Sequence, residues 1–282
     1  MPSLRLFKLC LVPFVLLMCV SCTSVFYQPD RFMYYPPELN GFKQQNVYFS
    51  APDGPRLHGW FFRNSKPKGT IVLFHGNGEN LSSHYASLVW ATRFGYQLFI
   101  FDYRGYGESL GTPDPEGVYQ DGMAALDKAF ELHRASGASK FIVYGQSLGG
   151  AVAMRCFADF KSKKETSLVV MDSTFMSYRD VAQEMLAHHW LTWIFSPLAR
   201  ILVSDKYATE DSVKHLATRL LVIHDKHDPL VDFENGQKIF DLAPGTPNKK
   251  ELWSLDEGRH IGAFALDAMG NRKRFLTLLD SI

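Results

Sequence analysis

Beyond residue 45 the chain alternates short apolar runs with longer stretches that mix apolar and polar positions. Residues 46–50 and 57–62 flank Pro52-Asp53-Gly54-Pro55 and predict a hairpin. Residues 70–74 form a short run dominated by apolar side chains, as in a strand buried on both faces. A helix is predicted over 81–94 and a strand over 97–101. Asp114-Pro115-Glu116 opens a further helix to about residue 134, with proline and acids where a helix start favours them. Residues 141–144, 168–171, 220–224 and 251–255 read as strands, and 263–279 as a closing helix. This alternation predicts the α/β class, a mostly parallel central sheet with helices on both faces.

One segment breaks the rhythm. Residues 175–207 contain Met185-Leu186-Ala187-His188-His189-Trp190-Leu191-Thr192-Trp193-Ile194-Phe195, apolar nearly all round and helical in propensity. An ordinary crossover helix would fit there, but the segment is long for one. We expect a helical cap insertion over the mouth of a site, with Trp190, Trp193 and Phe195 lining an acyl pocket.

The first 45 residues follow other rules. Arg5 and Lys8 precede the twelve apolar residues 9–20, short for a bilayer span of roughly 20 but right for a signal-peptide core of about 7–15. Cys19-Val20-Ser21-Cys22 resembles a bacterial lipobox, with Cys19 where that pattern usually has leucine. The resemblance implies a signal peptide over 1–21 and lipidation of Cys22. It also implies a membrane-anchored lipoprotein of the cell envelope, with Thr23 favouring outer-membrane sorting in a Gram-negative cell. Residues 22–45 hold Tyr27, Pro29, Phe32, Tyr34, Tyr35, Pro36 and Pro37, and read as an arm lying on the domain rather than a flexible tether. The domain proper is then 46–282, with the cap at about 175–207. Three of the four cysteines sit in or beside the leader, so Cys156 is left to the core and no intrachain disulfide is expected in the mature form. Thirty basic and 29 acidic side chains nearly balance, without a basic stripe, which argues against a nucleic-acid partner.

Candidate chemistry concentrates at strand ends. Gly145-Gln146-Ser147-Leu148-Gly149 lies between the strand at 141–144 and a helical stretch from Gly150. Small residues two before and two after a serine permit the sharp turn that lifts Oγ out of a sheet. A serine nucleophile needs a base, an orienting acid and an oxyanion hole. Asp228, in the loop after the strand at 220–224, is the expected acid, with Asp225, Asp232 and Asp172 as rivals. His260, in the glycine-bounded loop 258–262, is the expected base. His75-Gly76-Asn77-Gly78 ends an early strand, where the N–H groups of Asn77 and Leu148 would converge on a developing oxyanion, and the His75 ring reads as structural. Gly105-Tyr106-Gly107 lacks the third glycine of a dinucleotide fingerprint, which would fall at Leu110. Adjacent His188 and His189 would point about 100° apart on a helix and make a poor metal pair. His224 and His227 around Asp225 are better explained as part of the acid loop. No cofactor and no metal is expected.

Together with Asp102-Tyr103-Arg104-Gly105-Tyr106-Gly107-Glu108-Ser109 and Asp228-Pro229-Leu230-Val231, these motifs make the chain over 47–282 resemble the α/β-hydrolase superfamily. It is most similar there to lipoprotein-type serine hydrolases and to the α/β-hydrolase-domain thioesterases that remove palmitate from proteins. The resemblance implies Ser147 as nucleophile, Asp228 as acid, His260 as base, and Asn77 and Leu148 as oxyanion donors. The expected reaction is cleavage of an ester or thioester through an acyl-enzyme, with a small acyl or lipid-like substrate. Arg259 departs from the pattern, since related sequences have a small residue before the histidine. A serine peptidase of the aminopeptidase kind and a catalytically silent envelope lipoprotein remain as alternatives. The sequence does not bear on oligomeric state.

Overall fold

The computed structural model describes residues 26–188, 190, 192–245, 249–265 and 269–282. The leader and Cys22 lie outside the described residues. Eight strands form one sheet in the order β1-β2-β4-β3-β5-β6-β7-β8: β1 Gln45–Ser50, β2 Arg56–Phe62, β3 Gly69–Phe74, β4 Tyr96–Asp102, β5 Lys140–Gln146, β6 Thr166–Asp172, β7 Leu220–Asp225 and β8 Lys250–Leu255. β1 pairs with β2, and β2 with β4, antiparallel; every other pairing is parallel. All residues of β3 and β4 are buried, which accounts for their mostly apolar sequence; the buried Gln97 of β4 is satisfied by donating to Thr70 and Ser136.

Because side chains alternate across a strand, each central strand feeds two cores. Val72 and Phe74 join Phe101, Val143 and Met171 on one face. Ile71 and Leu73 join Ile100, Tyr144 and Val170 on the other. The first face is covered by α2 (Pro115–Ser136) and α3 (Leu148–Asp159), the second by residues 81–94 and α8 (Met269–Asp280). α2 starts where Asp114 accepts the N–H of Gly117 and ends at Gly137, whose φ of 73° is left-handed.

Two expected helices differ. Residues 81–94 are not one helix but α1 (Leu81–His84) followed by 3-10 turns at Tyr85–Ser87 and Val89–Phe94. Ser83, Ser87 and Thr92 each donate a hydroxyl to the carbonyl three residues earlier, which competes with regular helix, and Leu88 leaves helical geometry at φ −127°. Residues 263–265, expected in the closing helix, lie instead in a turn in which the N–H of Ala265 reaches the carbonyl of Gly262, and α8 is described from Met269. α7 (Phe233–Leu242), between β7 and β8, was not expected.

Between β6 and β7 the chain forms α4 (Tyr178–His188), a 3-10 turn (Trp193–Phe195), α5 (Ser196–Leu202) and the short α6 (Glu210–Lys214). The N-terminal arm is bonded to the domain. Tyr27 is buried, Asn80 Nδ2 donates to the carbonyls of Asp30 and Phe32, and the N–H groups of Tyr34 and Tyr35 both bond Ser82. Cys156 is buried in the core, and burial pushes its thiol well above the ordinary value. No helix among the described residues is long and apolar enough to cross a membrane.

Candidate active site

Ser147 sits where β5 turns into α3, at φ 53° and ψ −125°, a strained conformation for a residue with a side chain. Surrounding glycines make the turn possible. A Cβ at Gly145 would lie 2.5 Å from Gly150 Cα, one at Gly149 would lie 2.2 Å from the carbonyl oxygen of Phe74, and one at Gly150 would lie 2.5 Å from Thr174 Oγ1. Backbone and side chain then fix the apex: Ser147 donates its N–H to the carbonyl of Asp172, and its own carbonyl accepts from Thr174 Oγ1 at 2.6 Å.

His260 and Asp228 are directly joined. Nδ1 of His260 lies 2.8 Å from Asp228 Oδ2 and 3.0 Å from Oδ1. Asp228 Oδ1 also accepts the N–H groups of Leu230 and Val231. Burial raises the Asp228 carboxyl, but the His260 bond and the two N–H groups outweigh it and hold the group below its ordinary value, ionised at neutral pH. The next residue, Ile261, takes a left-handed φ of 51° and donates its N–H to Ser173 Oγ at 3.2 Å. Ser173 follows the Asp172 carbonyl that holds Ser147, so the base loop and the serine turn share one support. Among the described residues no hydrogen bond joins Ser147 to His260.

The three rival carboxylates have other work. Asp225, buried at the end of β7, accepts N–H groups of His227, Glu257, Gly258 and Arg259, lashing the base loop to the acid loop. Burial raises its carboxyl, and these four donors bring it below the ordinary value. Asp172 accepts from Tyr144 Oη and Gln146 Nε2 beneath the serine, and burial keeps its carboxyl above the ordinary value. Asp232 precedes α7 at its cap position.

Asn77 and Leu148 flank Ser147 from two segments. A Cβ built on Gly76 would lie 3.6 Å from Ser147 Cβ and 3.3 Å from His84 Cε1, so the loop after β3 passes directly over the serine turn. Leu148 is the first residue of α3, where N–H groups have no intrahelical acceptor. Among the described residues neither Asn77 N–H nor Leu148 N–H donates to a protein acceptor.

The loop carrying Asn77 is held by residues whose role the sequence reading did not assign. Tyr106, fully buried, donates its hydroxyl to the Asn77 carbonyl at 2.7 Å and accepts the N–H of Gln28 at 2.9 Å. That N–H also bonds Asn77 Oδ1. His84 bonds the Gly78 carbonyl through Nε2; burial, then the neighbouring His75, push it down to about 4, so it is neutral. The His75 ring packs on His84, Tyr103 and Tyr106 and bonds the Gly76 carbonyl. The segment 102–109 is a scaffold for this corner. Asp102 accepts the N–H of Leu81, Ser109 bridges the Asp102 carbonyl and the His58 N–H, and Arg104 forks between Asp53 and Asp121. Gly107, at φ 48°, leaves no room for a side chain, since a Cβ would lie 2.0 Å from Asp102 Oδ2.

The expected pocket residues lie elsewhere. Trp190, Trp193 and Phe195 are 77%, 60% and 50% exposed and line none of the five main cavities among the described residues. The cap helices α4 and α5 pack on each other and, through Tyr178, Val181 and Val203, on the core, whereas Trp193, Ile194 and Phe195 between them are exposed. A cavity of about 530 Å³ lies between residues 85–93, the arm and the loop after His260. Its rim includes Ser87, whose hydroxyl reaches Gln146 Oε1 at 3.5 Å, and Ile261, next to His260.

Comparison with known proteins agrees with this architecture. Residues 69–193 match the family model described as the alpha/beta hydrolase fold, a span that includes Asn77 and Ser147. The chain is 30% identical over 273 residues to the uncharacterized protein YfhR of Escherichia coli strain K12, covering 93% of this chain and 89% of that protein. It is 29% identical over 184 residues to the lysophosphatidylserine lipase ABHD12 of Bos taurus, covering 61% of this chain and 45% of that protein. The Pyrococcus furiosus esterase Pf2001 superposes with a TM-score of 0.72 at 21% identity, over 91% of this chain and 97% of that one, a likeness of fold. On its fold, its serine turn and this similarity across nearly its whole length, the chain belongs to the α/β-hydrolase superfamily.

Proposed function

We propose that the protein is a serine hydrolase that cleaves an ester or thioester bond by acyl transfer. The observation that carries this reading is the His260–Asp228 pair, 2.8 Å apart, in a loop bonded to the same support as a strained serine turn. In the proposed reaction Ser147 Oγ attacks the carbonyl carbon while its proton passes to His260 Nε2. Asp228 holds Nδ1–H, which fixes the tautomer and stabilises the imidazolium. The N–H groups of Asn77 and Leu148, without protein acceptors, are available to the oxyanion, and such a donor is worth about 10²–10³ in rate. The leaving alcohol or thiol takes the proton from His260, and water then releases the acid from the serine.

Ester cleavage is favoured over peptide cleavage by the apolar cavity beside the site and by the lipase and esterase among the similar proteins. A fluorophosphonate probe tests the nucleophile: wild type labels and Ser147→Ala does not. A panel of p-nitrophenyl esters of graded chain length, run beside aminoacyl amides, tests the bond. Hydrolysis of the amides alone would move the assignment to a peptidase, and no turnover with no labelling would leave a binding protein.

We further propose that the chain is held at a membrane of the cell envelope through a lipidated Cys22. The leader pattern supports this: Arg5 and Lys8, then the apolar residues 9–20, then Cys19-Val20-Ser21-Cys22. Mass spectrometry of the mature N-terminus tests it; an unmodified Met1 would defeat it.

A further inference from the structure

The cavity beside the base loop differs from an ordinary acyl pocket in one respect. Phe42, Tyr85, Trp90 and Phe264 give it apolar walls, yet Arg93 and Arg272 stand at its edge. Arg272 is half-buried and Arg93 is exposed beside it, whereas the buried Arg104 and the half-buried Arg155 and Arg219 are each paired with an acid. Arg104 lies between Asp53 and Asp121, and Arg155 bonds Asp159 at 2.8 Å. Among the described residues no carboxylate pairs with Arg93 or Arg272. Arg93 lies over the Phe42 ring at 4.9 Å and Arg272 over Trp90 at 5.2 Å, so aromatic faces orient both. Arg272 also donates Nε and Nη2 to the carbonyl of Phe264, which leaves Nη1 uncommitted. Burial without a compensating anion pushes its guanidinium below the ordinary value, whereas the acids around Arg104 raise theirs.

Resting on the hydrolase reading above, we propose that this cavity is the substrate groove, and that it selects an acyl ester whose apolar chain is accompanied by an anionic group read by Arg93 and Arg272. The groove is lined by Ile261, the residue after His260, and in this proposal a substrate with its carbonyl at Ser147 sends one arm from there along the aromatic walls. Its volume of about 530 Å³ is in the range of small-ligand sites. An anion at the arginine edge supplies the charge partner that the described residues do not. Carboxylate and phosphate both satisfy a guanidinium fork, so the anion is defined by charge and reach rather than by element.

The test uses the full chain and two matched pairs of substrates. In one, a p-nitrophenyl ester of a dicarboxylic acid is compared with that of a monocarboxylic acid of equal length. In the other, lysophosphatidylglycerol is compared with its zwitterionic choline counterpart. The quantity read is the anionic-to-neutral ratio of kcat/KM. Wild type should favour the anionic member of at least one pair by about tenfold, the size of a charge-assisted hydrogen bond, and added salt should lower the preference. The pair that responds tells on which side of the scissile bond the anion lies. Combined Arg93→Gln and Arg272→Gln should bring the ratio close to one, and the matching lysine variants should retain part of it. If R272Q does not fold, R93Q and R272K carry the comparison. A wild-type ratio near one in both pairs, with Ser147-dependent turnover of the neutral esters, overturns the groove's selectivity and leaves the hydrolase reading intact. An anionic preference that survives both glutamine substitutions overturns the assignment to these arginines. Absence of any turnover and of fluorophosphonate labelling defeats the hydrolase reading, and this inference with it.

Discussion

The rim that carries Ser147, Asp228 and His260 and the cap that follows Phe175 are built on opposite plans. On the rim nearly every loop is tied by buried polar contacts. Asp225 gathers four N–H groups, Asp228 two plus an imidazole, and Tyr106 joins the Asn77 loop to the arm. The cap joins the core through Tyr178, Val181 and Val203, and its polar bonds to the rest of the domain are few: Glu184 with Asn235, and Lys206 and Tyr207 with Glu116. Its large apolar side chains, Trp190, Trp193, Ile194 and Ile201 among them, face outward. The contrast teaches where geometry is fixed. Catalytic positions need alignment within fractions of an ångström, and buried hydrogen bonds supply it. A segment whose contacts are apolar and outward specifies no such geometry.

The rim can be broken most severely at Asp228. In Asp228→Asn the amide cannot hold Nδ1–H in the same tautomer, so kcat/KM should fall by about 10⁴ while the fold persists. A loss of less than tenfold, measured on a p-nitrophenyl ester, would remove Asp228 from the acid role. Asp225→Ala should act on stability instead. It leaves several N–H groups without an acceptor and should cost about 2–4 kcal/mol, read as a lower denaturant midpoint. The sign of its pH dependence follows from the lowered carboxyl. The stabilisation is present above the unfolded value near 3.9 and disappears as pH falls through the folded value, so wild type and variant should converge in stability below about pH 4. A constant gap from pH 7 to pH 3 would contradict the clamp.

Tyr106→Phe sharpens the comparison on a smaller scale. It removes the hydroxyl between the Asn77 carbonyl and the Gln28 N–H, and leaves the ring in its aromatic cluster. We expect kcat to fall about fivefold with KM little changed, from a bond of about 1 kcal/mol acting on the proposed oxyanion donor. A change in KM alone would place Tyr106 outside that role.

The eight strands were legible from runs of apolar residues, and the serine turn from glycines that steric contact makes obligatory. Order along the chain singled out Asp228 and His260, which the structure brings into contact. What stayed hidden depends on partners distant in sequence. Tyr106 belongs to a recognised motif, but nothing local says that its hydroxyl reaches Asn77, 29 positions away. Asp225 looked like a rival acid because its ligands are backbone groups 32 and 33 residues on, which have no sequence signature. Residues 81–94 read as one helix because the apolar spacing was right, while serine and threonine hydroxyls broke it into turns. The pocket was sought in the most apolar stretch, although hydrophobicity alone does not tell an inward wall from an outward face.

The cap gives the smallest and most discriminating effect. Trp190 and Trp193 are more than half exposed, so replacing both with serine removes little buried area. Stability should stay within about 0.5 kcal/mol of wild type, as for surface positions without special contacts. Turnover of a short water-soluble ester should change less than twofold, because neither indole lines the groove at Trp90 and Phe264. If turnover instead falls by tenfold or more, the two indoles reach the substrate after all, as the sequence alone implies. The cap would then have to close inward during catalysis, and the outward arrangement would describe only its open form.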